Sequence, residues 1–370
     1  MIIKKIALNG FRNYEFETVS LDPGTNVIYG ENAQGKTNLL EAVYMLAAGK
    51  SFRTRFDREL IGFGYDSAEI LAEVDSHDRE QTVRILLRNG LSKQITVNAV
   101  KKTASELSET VNAVLFSPDD LNLIKDGAAA RRRLLDNAIC QIRPRYAEYL
   151  AQFNKLYESK LRILKDWGEK PSLLDTLDEF SDGMCRASAQ IIRYRAAFSA
   201  RLCEEAAPIH REFSGTGEEL SMEYSTVSTV KDPLGPAQEI YYDLCEHLEA
   251  HRRAEIDSRQ CLTGAHKDDL IISVNGAIAR SYASQGQTRT AALSIKLAER
   301  EIFLDETGEY PILLLDDVLS ELDNKRQEFV LNRIGGGQTL ITCCSDEGIS
   351  ERTGGKVLNV SGGNIKRVKS

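Results

Sequence analysis

The chain of 370 residues carries a net charge of −8, is 42% hydrophobic and contains seven cysteines. This length allows two or three domains. A membrane protein is disfavoured because no apolar run matches a bilayer, and the amino terminus lacks the apolar stretch and cleavage site of a signal peptide. We therefore expect a cytoplasmic location. The cysteines show no CxxC pair, which predicts reduced thiols rather than a disulfide or metal framework.

Charge is distributed unevenly along the chain. From Gly127 to Lys165, nine Lys and Arg residues stand against three acids, a balance of +6. From Glu218 to Gln260, ten acids stand against four basic residues, a balance of −6. Such segregation is typical of a polyanion-binding face on an acidic protein. Solvated helix faces are the structural alternative, which the sequence leaves open.

The first 116 residues are predicted to form half of an α/β domain. The strand-like runs "IIKKIALNGF", "YEFETVSL" and "TNVIYG" precede a glycine-rich loop, and Leu39 to Ala47 then recur at helical spacing. A short antiparallel run follows, with Asn89-Gly90 as a hairpin turn. Its strands are "SAEILAEVDS", "QTVRILLRN" and "KQITVNA".

Residues 117–261 are predicted to be a helical insertion. An apolar stripe interrupted near Pro144, a second helix over roughly Ser172 to Ala206 and a third helix from Ala237 to Ile256 carry this prediction. Between the last two lies "SGTGEELSMEYSTVSTVKDPLGP", which we expect to be a connector.

The α/β pattern then returns, so residues 1–116 and 262–370 are predicted to form one interrupted domain. We expect "DLIISVNG" and "AIARSYAS" to form a hairpin, followed by a helix from about Gln287 to Leu304. The remaining elements are the strand "YPILLLDDV", a helix from Asp323 to Arg333 and the strand "QTLITCC".

The loop "GENAQGKT" satisfies the pattern G-x-x-x-x-G-K-[ST] between a strand and a helix. Glycines let backbone N–H groups approach phosphate, lysine neutralises the β and γ oxygens, and threonine offers a hydroxyl to Mg²⁺. These features predict an ATP site. Its residues are Gly30, Glu31, Asn32, Ala33, Gln34, Gly35, Lys36 and Thr37.

The segment "ILLLDDVLSELD" supplies two carboxylates after a buried apolar strand. We expect Asp316 to hold Mg²⁺, and Asp317 to polarise the attacking water. A strand end followed by a capped turn is the structural alternative. A third element, "SYASQGQTR", places Ser284, Gly286 and Gln287 at the start of a helix, where a hydroxyl, an N–H group and the helix dipole favour an anion.

In this order, the motifs resemble the ABC-type ATPases of chromosome maintenance, most closely the RecF family of bacterial recombination mediators. The matching segments span nearly the whole chain: "NGFRNYE", "YGENAQGKTNLLEAVYMLAAGKSFRT", "FSPDDLNLIKDGAAARRRLLD", "TGAHKDDL", "SQGQTR" and "LLLDDVLSELD". The resemblance implies an α/β fold, an ABC-type P-loop ATPase head with a mixed sheet and an antiparallel β subdomain, interrupted by a helical arm.

The resemblance also implies an ATP-dependent homodimer, in which Ser284, Gly286 and Gln287 contact the γ-phosphate on the partner protomer. Ser320 to Asp323 would cross that interface, while Arg12 and Asn13 would contact nucleotide. The family further implies binding to DNA at single-strand–duplex junctions, and RecO, RecR and RecA as partners. No membrane partner is expected.

The cluster Arg131, Arg132 and Arg133 is predicted to bind DNA phosphates. The competing structural role is that these arginines brace the start of the helical region or sense nucleotide there. His266 matches the family without a chemical role that the sequence can supply.

Two departures from the related heads matter. Asp317 stands where a longer glutamate is usual, which predicts slow hydrolysis, and "FSPDDL" occupies the place of a glutamine loop, so the Mg²⁺-sensing residue near Asp119 is unassigned.

Three other classes of P-loop protein are alternatives to this function. A chromosome-structuring head needs far more coiled coil than about 140 residues allow, a transporter subunit needs no basic arm, and a P-loop kinase has no use for the Ser284 motif.

Overall fold

The computed structural model describes residues 1–215, 217–344 and 348–368. The elements before residue 120 are β1 Ile2–Phe11, β2 Tyr14–Ser20, β3 Thr25–Tyr29, α1 Lys36–Ala48, β4 Ser67–Ser76, β5 Arg79–Arg88, β6 Gln94–Val97, β7 Val100–Lys102 and β8 Ala113–Phe116. Those up to residue 282 are α2 Ala128–Ile142, α3 Pro144–Asp166, α4 Leu177–Ser214, β9 Leu220–Ser225, α5 Ala237–Ser258, β10 Asp269–Val274, β11 Ala277–Ile278 and α6 Ala279–Tyr282. The last are α7 Gln285–Thr307, β12 Ile312–Asp316, α8 Asn324–Arg333, β13 Thr339–Cys343, α9 Ile349–Thr353, β14 Lys356–Ser361 and β15 Asn364–Arg367.

The chain divides into two compact units. The first contains the described residues of Met1–Asn122, Glu212–Gly215 and Arg289–Ser370, and the second those of Leu123–Arg211 and Thr216–Thr288. The second unit therefore includes residues 262–288, which the sequence predicts to be part of the head. The Ser284 motif lies in this second unit, and the glycine-rich loop lies in the first.

A six-stranded sheet in the first unit has the order β15-β14-β3-β13-β12-β8. All neighbouring pairs from β14 to β8 are parallel, and β15 joins β14 as an antiparallel hairpin. Every residue of β12 and β13 is buried, as expected of parallel strands that are covered on both faces. Because parallel strands end at one edge, the residues that follow β3, β12 and β13 lie together.

A second sheet in the first unit is antiparallel, with the order β2-β1-β4-β5-β6-β7. Alternate residues of β1 and β4 point into a core that includes Ile6 and Ile70, and the apolar face of α1 packs into it through Leu39 and Val43. This core carries the start of α1, and so positions the glycine-rich loop.

The second unit is mainly helical and contains a three-stranded sheet, β11-β10-β9. Leu135, Tyr146, Ile191 and Leu202 are among its buried residues. None of the helices in the described part of the chain has the length and apolar character needed to cross a membrane.

The predicted fold class is confirmed, whereas several predicted elements differ in detail. The expected connector contains β9, which pairs antiparallel with β10; its half-polar sequence concealed the strand. Thr216 of that segment lies outside the described residues. The strand predicted over "AIARSYAS" is wrong after Ile278, because Ala279–Tyr282 turns into a helix. The second helix is longer than predicted, since α4 continues through Pro208 to Ser214.

Candidate nucleotide site

The glycine-rich loop joins β3 to α1 at the carboxyl edge of the parallel sheet. Lys36 begins α1 and is 6% exposed. Its ammonium donates to the carbonyl oxygens of Gly30, at 2.5 Å, and Glu31, at 3.0 Å. Among the described residues, no side chain caps this helix end, so its first N–H groups and the lysine form an arrangement suited to phosphate oxygens.

Both glycines of the motif sit where a side chain would collide. A Cβ at Gly30 would lie 2.2 Å from the carbonyl oxygen of Val360 on β14. Gly35 has a φ of 122°, and a Cβ there would lie 2.8 Å from Nδ2 of Asn13. The loop is thus fitted against its own unit, in addition to any need for close approach to phosphate.

Residues far apart in sequence meet where β12 ends. Thr37 Oγ1 donates to Oδ1 of Asp316 at 2.8 Å across a separation of 279 residues, and Thr342 Oγ1 donates to the same oxygen at 2.9 Å. Asp316 is 7% exposed. The structure therefore brings together the two residues that the sequence predicts as metal ligands.

The electrostatics and donor set of this pair fit a cation. The pKa of Asp316 is raised overall, mainly because the carboxylate is buried. The nearby carboxylate of Asp317 raises it further, while hydrogen bonds from Thr37 and Thr342 lower it. A bound cation would offset the cost of burying this charge. Within the described residues, no cluster of three or more His, Cys, Asp or Glu could hold a metal. One carboxylate and one hydroxyl suit Mg²⁺, which keeps water and takes phosphate oxygens.

Asp317 directly follows β12 and has a left-handed backbone, with φ of 53°. Its N–H donates to Thr342 Oγ1 at 2.8 Å, and its carbonyl oxygen accepts from Ser320 Oγ at 2.6 Å. This turn ends the alternation of the strand, so adjacent carboxylates need not point to opposite faces. Asp317 is half-buried, whereas Asp316 is buried.

The loop backbone is also held by the amino-terminal strands. Asn13 Nδ2 donates to the carbonyl oxygen of Gln34 at 2.8 Å, and the hydroxyl of Tyr14 donates to that of Gly35 at 2.9 Å. Asn13 was predicted to contact nucleotide, and here it contacts the loop that would do so. Tyr14 was not among the predicted site residues, although it is adjacent to Asn13 in the "FRNYE" motif.

A second support comes from the turn of the hairpin β14–β15. The N–H of Gly363 donates to the carbonyl oxygen of Gln34 at 3.1 Å, and that of Gly362 donates to its side-chain Oε1 at 2.6 Å. Gly363 has a φ of 75°, and a Cβ there would lie 2.2 Å from the carbonyl oxygen of Asn13. Sequence reasoning missed this contact because no motif marks it.

Arg12 is committed to partners within the first unit. Its Nε and Nη2 donate to the carboxylate of Glu41, both at 2.8 Å, and its Nη1 donates to the carbonyl oxygen of Glu59 at 2.9 Å. Glu41 is fully buried and also accepts from Ser51 at 2.5 Å. A nucleotide contact by Arg12 stays a prediction, and it would compete with these bonds. Glu41 is a charged residue inside the apolar stripe of α1, and this signal in the sequence could have identified it as the buried partner of a basic side chain.

The Ser284 motif forms a reciprocal cap at the start of α7. The N–H of Gln287 donates to Ser284 Oγ at 3.2 Å, and the N–H of Ser284 donates to Gln287 Oε1 at 2.9 Å. This is a capping box. Gln287 Nε2 also donates to Glu218 at 2.9 Å. Ser284 is exposed and Gly286 half-buried, so the helix end is accessible, as an anion-binding role would require.

The three arginines predicted to bind DNA have unlike surroundings. Arg131 is 3% exposed, makes a two-pronged ion pair with Asp269 at 2.7 and 2.9 Å, and donates to the carbonyl oxygen of Asp126. Arg132 is half-buried and donates to the carbonyl oxygen of Asp268 at 2.6 Å. Arg133 is exposed. The structural role is therefore favoured for Arg131, and Arg133 is the member best placed to meet phosphate.

His266 packs within the second unit. Its ring centroid lies 4.8 Å from that of Tyr157, and its Nε2 lies 2.9 Å from the carbonyl oxygen of Cys261. Burial lowers the pKa of His266 to about 4. A neutral, packed ring is a structural role, and one that the sequence did not assign.

The fold and the loop together define a P-loop ATPase head of the ABC type. Residues 2–360 match the family model described as RecF/RecN/SMC N terminal domain. Within this class the chain belongs to the RecF family. It is 40% identical over 354 residues to the DNA replication and repair protein RecF of Agathobacter rectalis, with 95% of each chain covered.

Solved structures agree with this membership. One, described as the recombination mediator protein RecF-ATP in the RecFOR pathway, has a TM-score of 0.90 and 34% identity, with 99% of this chain and 97% of that chain covered. A second, described with the ligand name RecF-ATPrS, has a TM-score of 0.92 and 33% identity, with 100% and 98% covered.

Proposed function

We propose that the chain is an ATP-driven switch that binds DNA in recombinational repair and replication-fork maintenance. The observation that carries the proposal is the contact between Thr37 and Asp316, which joins the phosphate loop to a buried carboxylate across 279 residues. Relatives described as DNA replication and repair proteins, and a RecF structure described with ATP, support it.

In this proposal, each residue of the loop and of the strand end has its own task. Lys36 and the first N–H groups of α1 bind the β and γ phosphates. Thr37 and Asp316 are the residues that would hold Mg²⁺, which supplies charge neutralisation on the phosphate oxygens. Asp317 orients the attacking water and accepts its proton. Because its carboxylate is one methylene shorter than glutamate, hydrolysis is slow.

The switch is a homodimer that forms on ATP. Ser284, Gly286 and Gln287 of one protomer contact the γ-phosphate held by the other, and Ser320 to Asp323 lie at the interface. ATP then shifts the population towards dimer because it binds that state better. Hydrolysis, which DNA stimulates, reopens the dimer.

The DNA partner is a single-strand–duplex junction at a gap, where the protein helps to load RecA together with RecO and RecR. Phosphate contacts supply most of the affinity, so binding weakens with salt. A cytoplasmic location belongs to the same proposal, because the substrate would be chromosomal DNA.

Light scattering of the protein with ATP, ADP or no nucleotide tests the switch, with and without a gapped duplex. We expect a dimer with ATP but not with ADP or without nucleotide. We also expect this dimer to persist when the gapped duplex is present. Lys36→Ala is the matched variant, and it should stay monomeric because the bridging phosphate loses its main cation. A dimer that is the same with and without ATP, or that Lys36→Ala forms equally well, contradicts the proposal.

A further inference from the structure

One hydroxyl contacts both carboxylate residues of the site. Thr342 lies in β13 and is 1% exposed, and it is the register partner of Asp316 in the parallel pair β12–β13. Its Oγ1 lies 2.9 Å from Asp316 Oδ1 and 2.8 Å from the backbone nitrogen of Asp317. The motifs identified in the sequence do not include this threonine.

The hydrogen-bond directions at Thr342 are fixed by the chemistry of its partners. A backbone N–H can only donate, so the hydroxyl oxygen accepts from Asp317. The single hydroxyl proton then goes to Asp316 Oδ1, since the alternative acceptor, the carbonyl oxygen of Leu315, is at 3.4 Å. The hydroxyl of Thr342 therefore orients Asp316 by contacting its carboxylate, and orients Asp317 by contacting its backbone N–H.

The backbone contact matters because Asp317 adopts a conformation that few side chains favour. Its φ of 53° lies in the left-handed region, and such conformations persist where neighbouring groups determine them. Thr342 holds the N–H side of Asp317, and Ser320 holds its carbonyl side at 2.6 Å. Without the hydroxyl, this partly buried N–H would lose the acceptor that it has among the described residues, and the turn would be free to relax.

We propose that Thr342 is a positioning residue for ATP hydrolysis, which fixes the directions of Asp316 and Asp317 relative to each other. The inference rests on the proposed ATPase function. Thr342 contacts neither the glycine-rich loop nor Lys36 in the described contacts, so its loss should affect hydrolysis more than nucleotide binding. A displacement of about 1 Å at the water-orienting carboxylate would slow the reaction about 100-fold.

The test compares isosteric and hydroxyl-retaining variants in single-turnover ATP hydrolysis and in nucleotide titration. Thr342→Val keeps the shape and removes the hydroxyl, so the rate should fall about 10- to 100-fold while the Kd for ATP changes less than about threefold. Thr342→Ser should hydrolyse at close to the wild-type rate. Thr342→Ala, which cannot overpack the sheet, should reproduce the loss and decides the matter if Thr342→Val does not fold.

Thr339→Val is the matched control, because Thr339 is also buried in β13 and its hydroxyl lies 3.5 Å from the carbonyl oxygen of Ile334. It should hydrolyse ATP normally. A wild-type rate in Thr342→Val, equal losses in Thr342→Val and Thr342→Ser, or an equal loss in Thr339→Val would each overturn the inference. Failure of the wild-type protein itself to hydrolyse ATP would instead overturn the proposed function.

Discussion

Asp316 and Asp317 are adjacent, yet they have different surroundings. Asp316 is buried and accepts two hydroxyl hydrogen bonds, while Asp317 is half-buried on a left-handed turn. Different surroundings are how neighbouring carboxylates acquire different tasks. The sequence predicts a role for each of these residues, but it gives no signal for Thr342, whose hydroxyl contacts both, because threonine is ordinary in a buried strand.

Replacing Asp317 by Asn should separate ATP binding from hydrolysis. Asn tolerates positive φ, so the turn is retained, but the amide cannot accept the proton of the attacking water. We expect single-turnover hydrolysis to fall at least about 100-fold, while the ATP-bound dimer forms and persists. Asp57→Asn, which changes a surface partner of Lys93 in the same unit, should behave as wild type. Wild-type hydrolysis by Asp317→Asn would move attention to Asp119 and Asp120.

His266 should make the stability of the protein depend on pH. Its pKa is about 4 in the folded chain, against 6.5 ordinarily, so the unfolded chain binds a proton first as pH falls. Stability is therefore lost below pH 6.5, by about 2 kcal/mol at pH 5. Burial raises the pKa of Asp268 to about 6, which acts in the opposite direction.

Comparison with His266→Gln isolates the contribution of the histidine. Calorimetric Tm values for the two proteins should converge as the pH falls from 7 to 5, because only the wild type loses this stabilisation. Parallel curves would contradict the assigned pKa shift.

At the scale of elements, the turn of the β14–β15 hairpin supports the glycine-rich loop through hydrogen bonds to Gln34. Gly363→Ala should weaken these hydrogen bonds. The new Cβ would meet the carbonyl oxygen of Asn13 at 2.2 Å, which forces the turn away from Gln34. Loss of two hydrogen bonds should raise the Kd for ATP about tenfold. Gly362→Ala is the control: its φ is also positive, but a Cβ there meets nothing within 4 Å in the described part of the chain. Equal effects of the two variants would show that backbone strain, not the contact, is responsible.

Helix α2 carries two kinds of arginine, and single variants should distinguish them. Arg131→Ala removes the arginine that pairs with Asp269, which should cost about 3 kcal/mol of unfolding free energy in a chemical denaturation experiment. Arg133→Ala should leave stability unchanged and lower the slope of log affinity for DNA against log salt by about 1. An unchanged slope would remove Arg133 from the DNA site.

The elements show which signals in the sequence were sufficient. Strong periodicity and the glycine-rich loop predicted β3, α1 and β12, since those patterns are local. The strand β9 was missed because its exposed alternate positions are polar, and pairing with β10 decides its conformation. The meeting of Thr37 with Asp316 follows from strand order, which spacing alone does not fix. The support of the glycine-rich loop by the turn at Gly363 likewise depends on a tertiary contact, which spacing in the sequence does not reveal.

At the scale of the whole molecule, the proposed dimer predicts a variant that binds nucleotide but does not close. Ser284 is exposed at the start of α7, and Ser284→Arg would place a bulky cation where the partner's phosphate is expected to arrive. Fluorescent-nucleotide titration should give a Kd for ATP within about twofold of wild type, while light scattering shows monomer. Equal losses of affinity and dimer would show that Ser284 acts within its own protomer.

The order of strands in the parallel sheet also bears on how the chain is made. β3 lies between β13 and β14, both of which leave the ribosome roughly 300 residues later, about 15–60 s at ordinary synthesis rates. Throughout that interval, the strand before the glycine-rich loop has neither lateral neighbour, and its apolar residues are open to other nascent chains. We expect slow refolding from denaturant, as for other folds dominated by distant pairings, and a strong dependence of soluble yield on chaperones.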